Sequence, residues 1–184
     1  MSTRGAIVRV FGDGFKGVYH HWDSYPEGLG QTLWELFHEQ FGQDVERMLK
    51  FLIDEHPAGW STLNGADFSM MPGYVELGRK IDSPDERRGP ECYCHGDRSE
   101  EGNEVTEKDA AGIGVEWVYA FRDTVMIVLS SYNEDGHKMI GMFGMGNENA
   151  RWRIVTQIDL LGEEPDWEMI KKDGKVVVNA ERKK

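Results

Sequence analysis

The sequence predicts an α+β fold in which a single antiparallel sheet of about five to seven strands carries a helix pair packed on one face. Three observations predict it. Short turn sequences separate β-prone runs in the N-terminal and C-terminal parts of the chain, and two apolar stripes at helical spacing lie between these parts. The 184 residues suit one hydrophobic core, and no repeat divides them. We therefore expect a single domain over residues 1–184.

The N-terminal strands are predicted to form a hairpin. Residues 6–11 and 15–22 are β-prone and flank a Gly-Asp-Gly sequence. Because Asp-Gly tolerates the positive φ of a tight turn, we place Asp13 and Gly14 at the two central turn positions.

This register makes a geometric prediction about the end of the hairpin. It sets Arg4 directly opposite Asp23 as a cross-strand ion pair. Because side chains alternate along a strand, His21 would share the face of this pair, and His20 and Trp22 would share the other face.

The helix pair is predicted by two apolar stripes. Asp44 can cap the second helix, which His56-Pro57 would end. The stripes consist of Leu29, Leu33, Leu36, Phe37 and Phe41 in the first helix, and of Val45, Met48, Leu49, Leu52 and Ile53 in the second. Both stripes are interpreted as core faces.

The C-terminal part is predicted to be β-rich. The predicted strands cover residues 115–121, 124–132, 138–145, 151–160, 167–171 and 175–179. Because short turns join sequential strands, we expect antiparallel pairing. Residues 58–114 show little periodicity apart from one candidate helical turn at 106–111, and form either a functional loop or short elements.

Charge and hydropathy exclude several classes of partner. The net charge is −12, from 21 basic and 33 acidic side chains, whereas nucleic-acid binding relies on neutralising phosphates. We therefore expect no nucleic-acid partner. The longest apolar run, Val125–Leu129, is far shorter than a membrane span, and the N-terminus lacks a signal-peptide pattern. We expect a cytoplasmic protein without a membrane partner.

The segment His20-His21-Trp22-Asp23 is a candidate site between a strand and a helix, where polar groups often sit on rigid supports. Histidine titrates near neutral pH. In the catalytic interpretation His21 acts with Asp23, which Arg4 holds ionised. The structural interpretation is a plain cross-strand pair. The candidate binding residues are His20, Trp22 and Tyr25.

Cys92, Cys94 and His95 are candidate metal ligands. Cysteines one residue apart rarely form a disulfide, and thiolate and imidazole are the preferred ligands of zinc. A structural zinc site needs four ligands. The candidates for the fourth are His20, His21 and Asp23. The alternative interpretation is a loop with reduced cysteines.

Three short motifs carry a resemblance: Ser-Thr-Arg-Gly at residues 2–5, His-Trp-Asp-Ser-Tyr-Pro-Glu-Gly-Leu-Gly at 21–30, and Cys-Tyr-Cys-His-Gly-Asp at 92–97. The first two resemble a family of short hypothetical proteins from phages and bacteria, and the third resembles a segment of some members. The resemblance covers about the first thirty residues well. It implies no activity and no catalytic residues, but it implies association with phages or mobile elements.

The functional expectation follows from the lack of a complete catalytic constellation. We expect a phage- or mobile-element-associated accessory binding protein that captures a host protein or a small ligand. The alternative is a small hydrolase or nucleotide-processing enzyme with a His21/Asp23 site, assisted by zinc or not. A third hypothesis is a globular protein without a small-molecule site. A deep pocket lined by His and Asp would favour an enzyme, and a flat apolar patch would favour a binding protein.

Overall fold

The computed structural model describes residues 2–64, 90–95, 100–102, 104–110, 112–131 and 152–175. These residues combine one mixed sheet with short helices, which confirms the α+β class. The predicted strand over 138–145 lies outside the described residues. Within the described ranges, no helix has the length and apolar character needed to cross a membrane.

The described part of the sheet has eight strands. They are β1 (Gly5–Phe11), β2 (Gly14–His20), β3 (Trp60–Thr62), β4 (Glu91–Cys92), β5 (Val105–Thr106), β6 (Trp117–Arg122), β7 (Val125–Ser130) and β8 (Arg153–Asp159). Seven follow the order β4-β3-β2-β1-β6-β7-β8, and β5 pairs with β2. Strands β3 and β5 contact opposite ends of the same β2 edge, at His20 and at Lys16-Gly17.

The sheet is mixed, and the prediction of a purely antiparallel sheet is wrong. Strand β1 pairs antiparallel with β2 but parallel with β6, and β2 pairs parallel with β3. Tight turns join β1 to β2 and β6 to β7, so these pairs are antiparallel. The chain reaches β6 only after a long excursion, which gives it the length for a parallel crossover.

The hairpin register differs from the prediction by two residues. Gly12 and Asp13 occupy the turn, and Phe11 lies opposite Gly14. Gly12 has φ +57°, and Asp13 is not among the positive-φ residues. A positive φ at the first central position alone is the signature of a type II′ turn, which glycine favours there. Because the shift is an even number, the side chains within β1 and β2 keep their predicted faces. Trp22 lies beyond β2 and packs against the His21 ring, so its predicted place on the face opposite His21 is wrong.

Four α-helices accompany the sheet in the described ranges. Helix α1 (Gln31–Glu35) is extended by π-helical turns at Pro26–Gly30 and Leu36–Gln40. Helix α2 (Val45–Leu49) is extended by a π-helical turn at Lys50–Asp54. The other two are α3 (Glu107–Ala110) and α4 (Trp167–Lys175). The Asp44 carboxylate accepts a hydrogen bond from the Arg47 amide at 2.9 Å, which confirms the predicted cap.

The described residues form two hydrophobic clusters on opposite faces of the sheet. Ile7 belongs to one cluster together with the apolar residues of the first two helical segments. Val8 belongs to the other, with Phe15 and Trp152. Consecutive strand residues point to opposite faces. The cluster that contains Ile7 is called the helix-side core below, and the one that contains Val8 is called the outer core.

The predicted strand over 167–171 and the turn before 175–179 are wrong, because α4 occupies Trp167–Lys175. The Asp166 carboxylate caps it by accepting from the Met169 amide at 2.9 Å. Trp167 and Ile170 are buried at helical spacing. Gly174 lies against the Trp117 indole, where an added Cβ has no space. Residues 176–179 lie outside the described ranges.

Candidate metal centre

Four side chains that commonly bind metals converge beside strand β4. Cys92, Cys94 and His95 come from one short segment, and His56 comes from the loop that follows α2 and its π-helical turn. One ligand atom from each lies within 4.8 Å of the others. The sulfur of Cys92 is 3.2 Å from Nδ1 of His95. This cluster could hold a metal ion.

The edge strands bring the two chain segments together. Trp60 of β3 pairs with Cys92 of β4, and the Tyr93 amide donates to the Gly59 carbonyl at 3.0 Å. The Gly59 amide in turn donates to the carbonyl of His56 at 2.9 Å. Gly59 has φ +83°, and an added Cβ would collide with the Tyr19 backbone. The close return of the chain after His56 therefore requires glycine.

The cluster is buried on one side and accessible on the other. His56 and Cys92 are buried, Cys94 is half-buried and His95 is exposed. The His56 ring packs 4.3 Å from the Trp60 ring, between centroids. Burial, together with the charge of His95, lowers the pKa of His56 to about 4. His56 is therefore neutral at pH 7, which is the protonation state that binds a metal.

The thiols have different surroundings. Burial raises the pKa of Cys92, so without a cation its thiol keeps its proton at neutral pH. A coordinated metal would displace that proton. The Ala58 amide donates to the Cys94 sulfur at 3.3 Å. Hydrogen bonds of this kind orient a ligand and stabilise the thiolate form.

The donor atoms nearly have the spacing of a tetrahedral site. Bond lengths to zinc of about 2.0–2.3 Å place neighbouring tetrahedral ligand atoms roughly 3.3–3.8 Å apart. The Cys92–His95 pair already has nearly this separation, and the full spread of 4.8 Å requires a contraction of about 1 Å. Side chains that are half-buried or exposed, as Cys94 and His95 are, can supply it by rotation.

The fourth donor is His56, and none of the predicted fourth ligands belongs to the cluster. Those candidates were His20, His21 and Asp23. Sequence reasoning missed His56 because His56-Pro57 was interpreted only as the end of a helix. The available signal was a histidine at the end of an amphipathic helix, and no sequence spacing links it to the cysteines.

His20 lies fully buried in the sheet. Its Nε2 accepts from the Leu63 amide at 3.0 Å, so the proton of the neutral ring is on Nδ1, which donates to Ser24 Oγ at 2.8 Å. Burial, with a smaller contribution from the charge of His21, lowers the pKa of His20 to about 3. Both ring nitrogens of this candidate binding residue therefore make structural hydrogen bonds.

The predicted opposition of Arg4 to Asp23 is wrong. Arg4 donates to the Ile113 carbonyl at 3.3 Å, and within the described ranges no ion pair joins it to Asp23. Asp23 lies beyond the end of β2 with φ +53°, and the Asn64 side chain donates to its carbonyl at 2.8 Å. The chain has thus left the strand conformation that the predicted pair requires.

His21, Trp22 and Tyr25 lie at or near the surface. The Tyr19 hydroxyl is 2.7 Å from Nδ1 of His21, and the His21 ring meets the Trp22 ring edge-on at 4.6 Å. Trp22 is 48% exposed. The Tyr25 ring faces the Lys171 ammonium at 4.3 Å, which ties it to α4.

Known proteins do not assign this cluster a role. Comparisons with protein-family models, with curated proteins and with solved structures give no match for this chain.

Proposed function

We propose that His56, Cys92, Cys94 and His95 bind one zinc ion in a structural site. The observation that carries the proposal is the convergence of their four donor atoms within 4.8 Å. Two thiolates and two imidazoles favour zinc over hard cations such as magnesium and calcium. Four protein ligands fill a tetrahedral shell, whereas a catalytic zinc keeps a position for water. The metal would therefore stabilise the fold.

We also propose that the protein acts by binding a partner, as an accessory protein that captures a host protein or a small ligand. A closed metal site leaves the zinc without a catalytic role. Trp22 supports the binding role, since it is 48% exposed and packs against His21. Exposed tryptophan is enriched among the residues that dominate protein interfaces. Association with phages or mobile elements comes only from the resemblance of the first thirty residues.

The alternative is a small hydrolase or nucleotide-processing enzyme. One observation favours it: the Tyr19 hydroxyl is 2.7 Å from Nδ1 of His21, so this histidine has an orienting partner. Tyr19 thus takes the place that Asp23 had in the predicted site. Hydrolysis of a model ester or phosphodiester that is lost in His21→Ala would favour this alternative over the binding role.

Elemental analysis of protein purified without chelator tests the zinc proposal. We expect about one zinc per chain, and less than about a tenth of an equivalent in His56→Gln and Cys92→Ser. His38→Gln is the matched control, because His38 packs against Trp34 away from the cluster and its loss should leave zinc bound. If the buried variants fail to fold, half-buried Cys94→Ser replaces them.

Wild-type protein with less than about a tenth of an equivalent of zinc would contradict the proposal. It would leave the two cysteines as reduced residues of a loop. Full zinc content in both ligand variants would also contradict it, because the metal would then lie elsewhere.

A further inference from the structure

The segment that supplies Cys92, Cys94 and His95 to the metal cluster also borders the opposite face of the sheet. Cys92 is part of the helix-side core, and Cys94 packs against it. Tyr93 lies between them in the chain, and its amide donates to the carbonyl of Gly59, which packs against the backbone of Tyr19. Tyr19 packs against the outer core. In extended chain, neighbouring side chains point to opposite sides. Cys92 and its cross-strand partner Trp60 therefore face the helices, and Tyr93 lies on the side of Tyr19.

On this side of the sheet lies a group of aromatic side chains, which we call the outer aromatic patch and define as Tyr19, His21, Trp22 and Tyr93. Within it, the Tyr19 hydroxyl is 2.7 Å from His21, and the His21 and Trp22 rings are 4.6 Å apart. Burial raises the pKa of Tyr19, the charge of Arg4 lowers it, and Tyr93 makes a smaller raising contribution. The patch includes the exposed Trp22 on which the proposed binding role rests.

The protein chain by itself attaches this segment weakly. Strand β4 has two residues, and its two pairs with β3 are separated by an irregularity in register. The Tyr93 amide bonds to the Gly59 carbonyl, and the Ala58 amide bonds to the Cys94 sulfur. So short a strand contributes little stability of its own. A metal bound by three side chains of this segment and by His56 would be its strongest anchor.

We infer that zinc binding on the helix side fixes Tyr93 on the outer side, so that metal occupancy controls the geometry of the outer aromatic patch. This inference rests on the proposed zinc site. The proposed link runs from His56 through the segment that contains Tyr93 to Tyr19. His56 follows the α2 helical segment, and Tyr19 lies in β2 of the hairpin, so both of these residues are held by larger elements. Only the short segment between them depends on the metal.

Amide exchange measured by NMR on the full chain tests the inference, with zinc-loaded protein compared with protein stripped by a chelator. We expect the Tyr93 amide to exchange at least about tenfold faster without zinc, because local opening breaks its bond to Gly59. The amides of β1 and β6, in the centre of the sheet, should keep their protection. The His21 ring signals should shift on zinc removal, although His21 is not a ligand.

The Tyr93→Ala variant removes the side chain that is proposed to connect the zinc site with the outer aromatic patch. This variant keeps all four ligands, so it should bind about one equivalent of zinc. Its His21 ring signals should no longer respond to zinc. Tyr93→Phe keeps the ring and should retain the response.

The possible failures are distinguishable. If wild-type protein does not bind zinc, the proposed site and this inference both fail. If zinc binds but the exchange of Tyr93 is unchanged, or if His21 still responds in Tyr93→Ala, only the coupling is overturned. Complete loss of protection throughout β1 and β6 on zinc removal would also overturn it, because the whole chain would then unfold instead of the short segment alone.

Discussion

At the scale of single residues, His20 has a structural role that its sequence neighbourhood does not reveal. It stands beside His21 in a segment that suggests a site, yet it is fully buried. Its two nitrogens join the Leu63 amide to the Ser24 hydroxyl. A neutral ring makes both bonds, whereas a protonated ring would lose the bond from Leu63 and carry a buried charge.

This arrangement predicts a pH dependence of stability. The pKa of His20 is about 3 in the folded protein and about 6.5 in the unfolded chain, so between these values the unfolded chain binds a proton that the folded protein excludes. The contribution to stability is complete above about pH 6.5 and is lost as pH falls toward about 3. In urea unfolding, His20→Asn should reduce the slope of unfolding free energy against pH by up to about 1.4 kcal/mol per unit.

The comparison is made between slopes, because His20→Asn is expected to lower stability at every pH. Identical slopes in the two proteins between about pH 4 and 6 would show that His20 is accessible to protons in the folded state.

The candidate site was only partly predictable at this scale. Cys92, Cys94 and His95 stand out because soft ligands are dense in one short segment. His56 does not, because it joins them only through the pairing of β3 with β4, and sequence spacing carries no information about that pairing. The predicted opposition of Arg4 to Asp23 is wrong because Gly12, with its positive φ, occupies the first central position of the turn and shifts the register.

At the scale of elements, α4 carries a glycine for reasons of packing. Gly174 is buried in the helix, its carbonyl accepts from the Ser130 hydroxyl at 2.8 Å, and a Cβ there would collide with the Trp117 ring. Glycine in a helix normally costs about 1 kcal/mol relative to alanine. Here the close approach of the helix to the sheet reverses the preference.

Gly174→Ala should therefore destabilise the protein by about 1–3 kcal/mol, as overpacking does, rather than stabilise it through helix propensity. Urea unfolding measures the change. Lys172→Ala is the control, because Lys172 is exposed in the same helix and its loss should change stability by no more than about 0.5 kcal/mol. Stabilisation by Gly174→Ala would contradict the described packing of α4 on Trp117.

Elements with strong local signals were predictable, and elements that depend on a partner were not. The hairpin β1–β2, the two helical segments and the pair β6–β7 were predicted from periodicity and turns. Strands of two or three residues, such as β3, β4 and β5, have no periodicity to detect. Helix α4 was mistaken for a strand because its Asp-Gly sequence resembles a hairpin turn, although Asp166 offered a helix cap.

At the scale of the whole molecule, the topology places the metal ligands at one edge of the described sheet. The parallel pair β1–β6 lies inside the sheet order, whereas β3 and β4 extend it beyond β2. The metal cluster thus lies beside the short strands β3 and β4, next to a helical segment whose apolar residues belong to the helix-side core. A zinc ion at this position would attach the short edge strand β4 to the end of the α2 helical segment.

X-ray absorption spectroscopy at the zinc edge tests the central claim most directly, because it counts and identifies the atoms bound to the metal. For the purified full chain we predict four ligands, with two sulfurs at about 2.3 Å and two imidazole nitrogens at about 2.0–2.1 Å. His56→Gln should lose the zinc, and His38→Gln should keep the wild-type shell. A wild-type shell with fewer than two sulfurs, or one dominated by oxygen, would contradict the assignment of His56, Cys92, Cys94 and His95 as the zinc ligands.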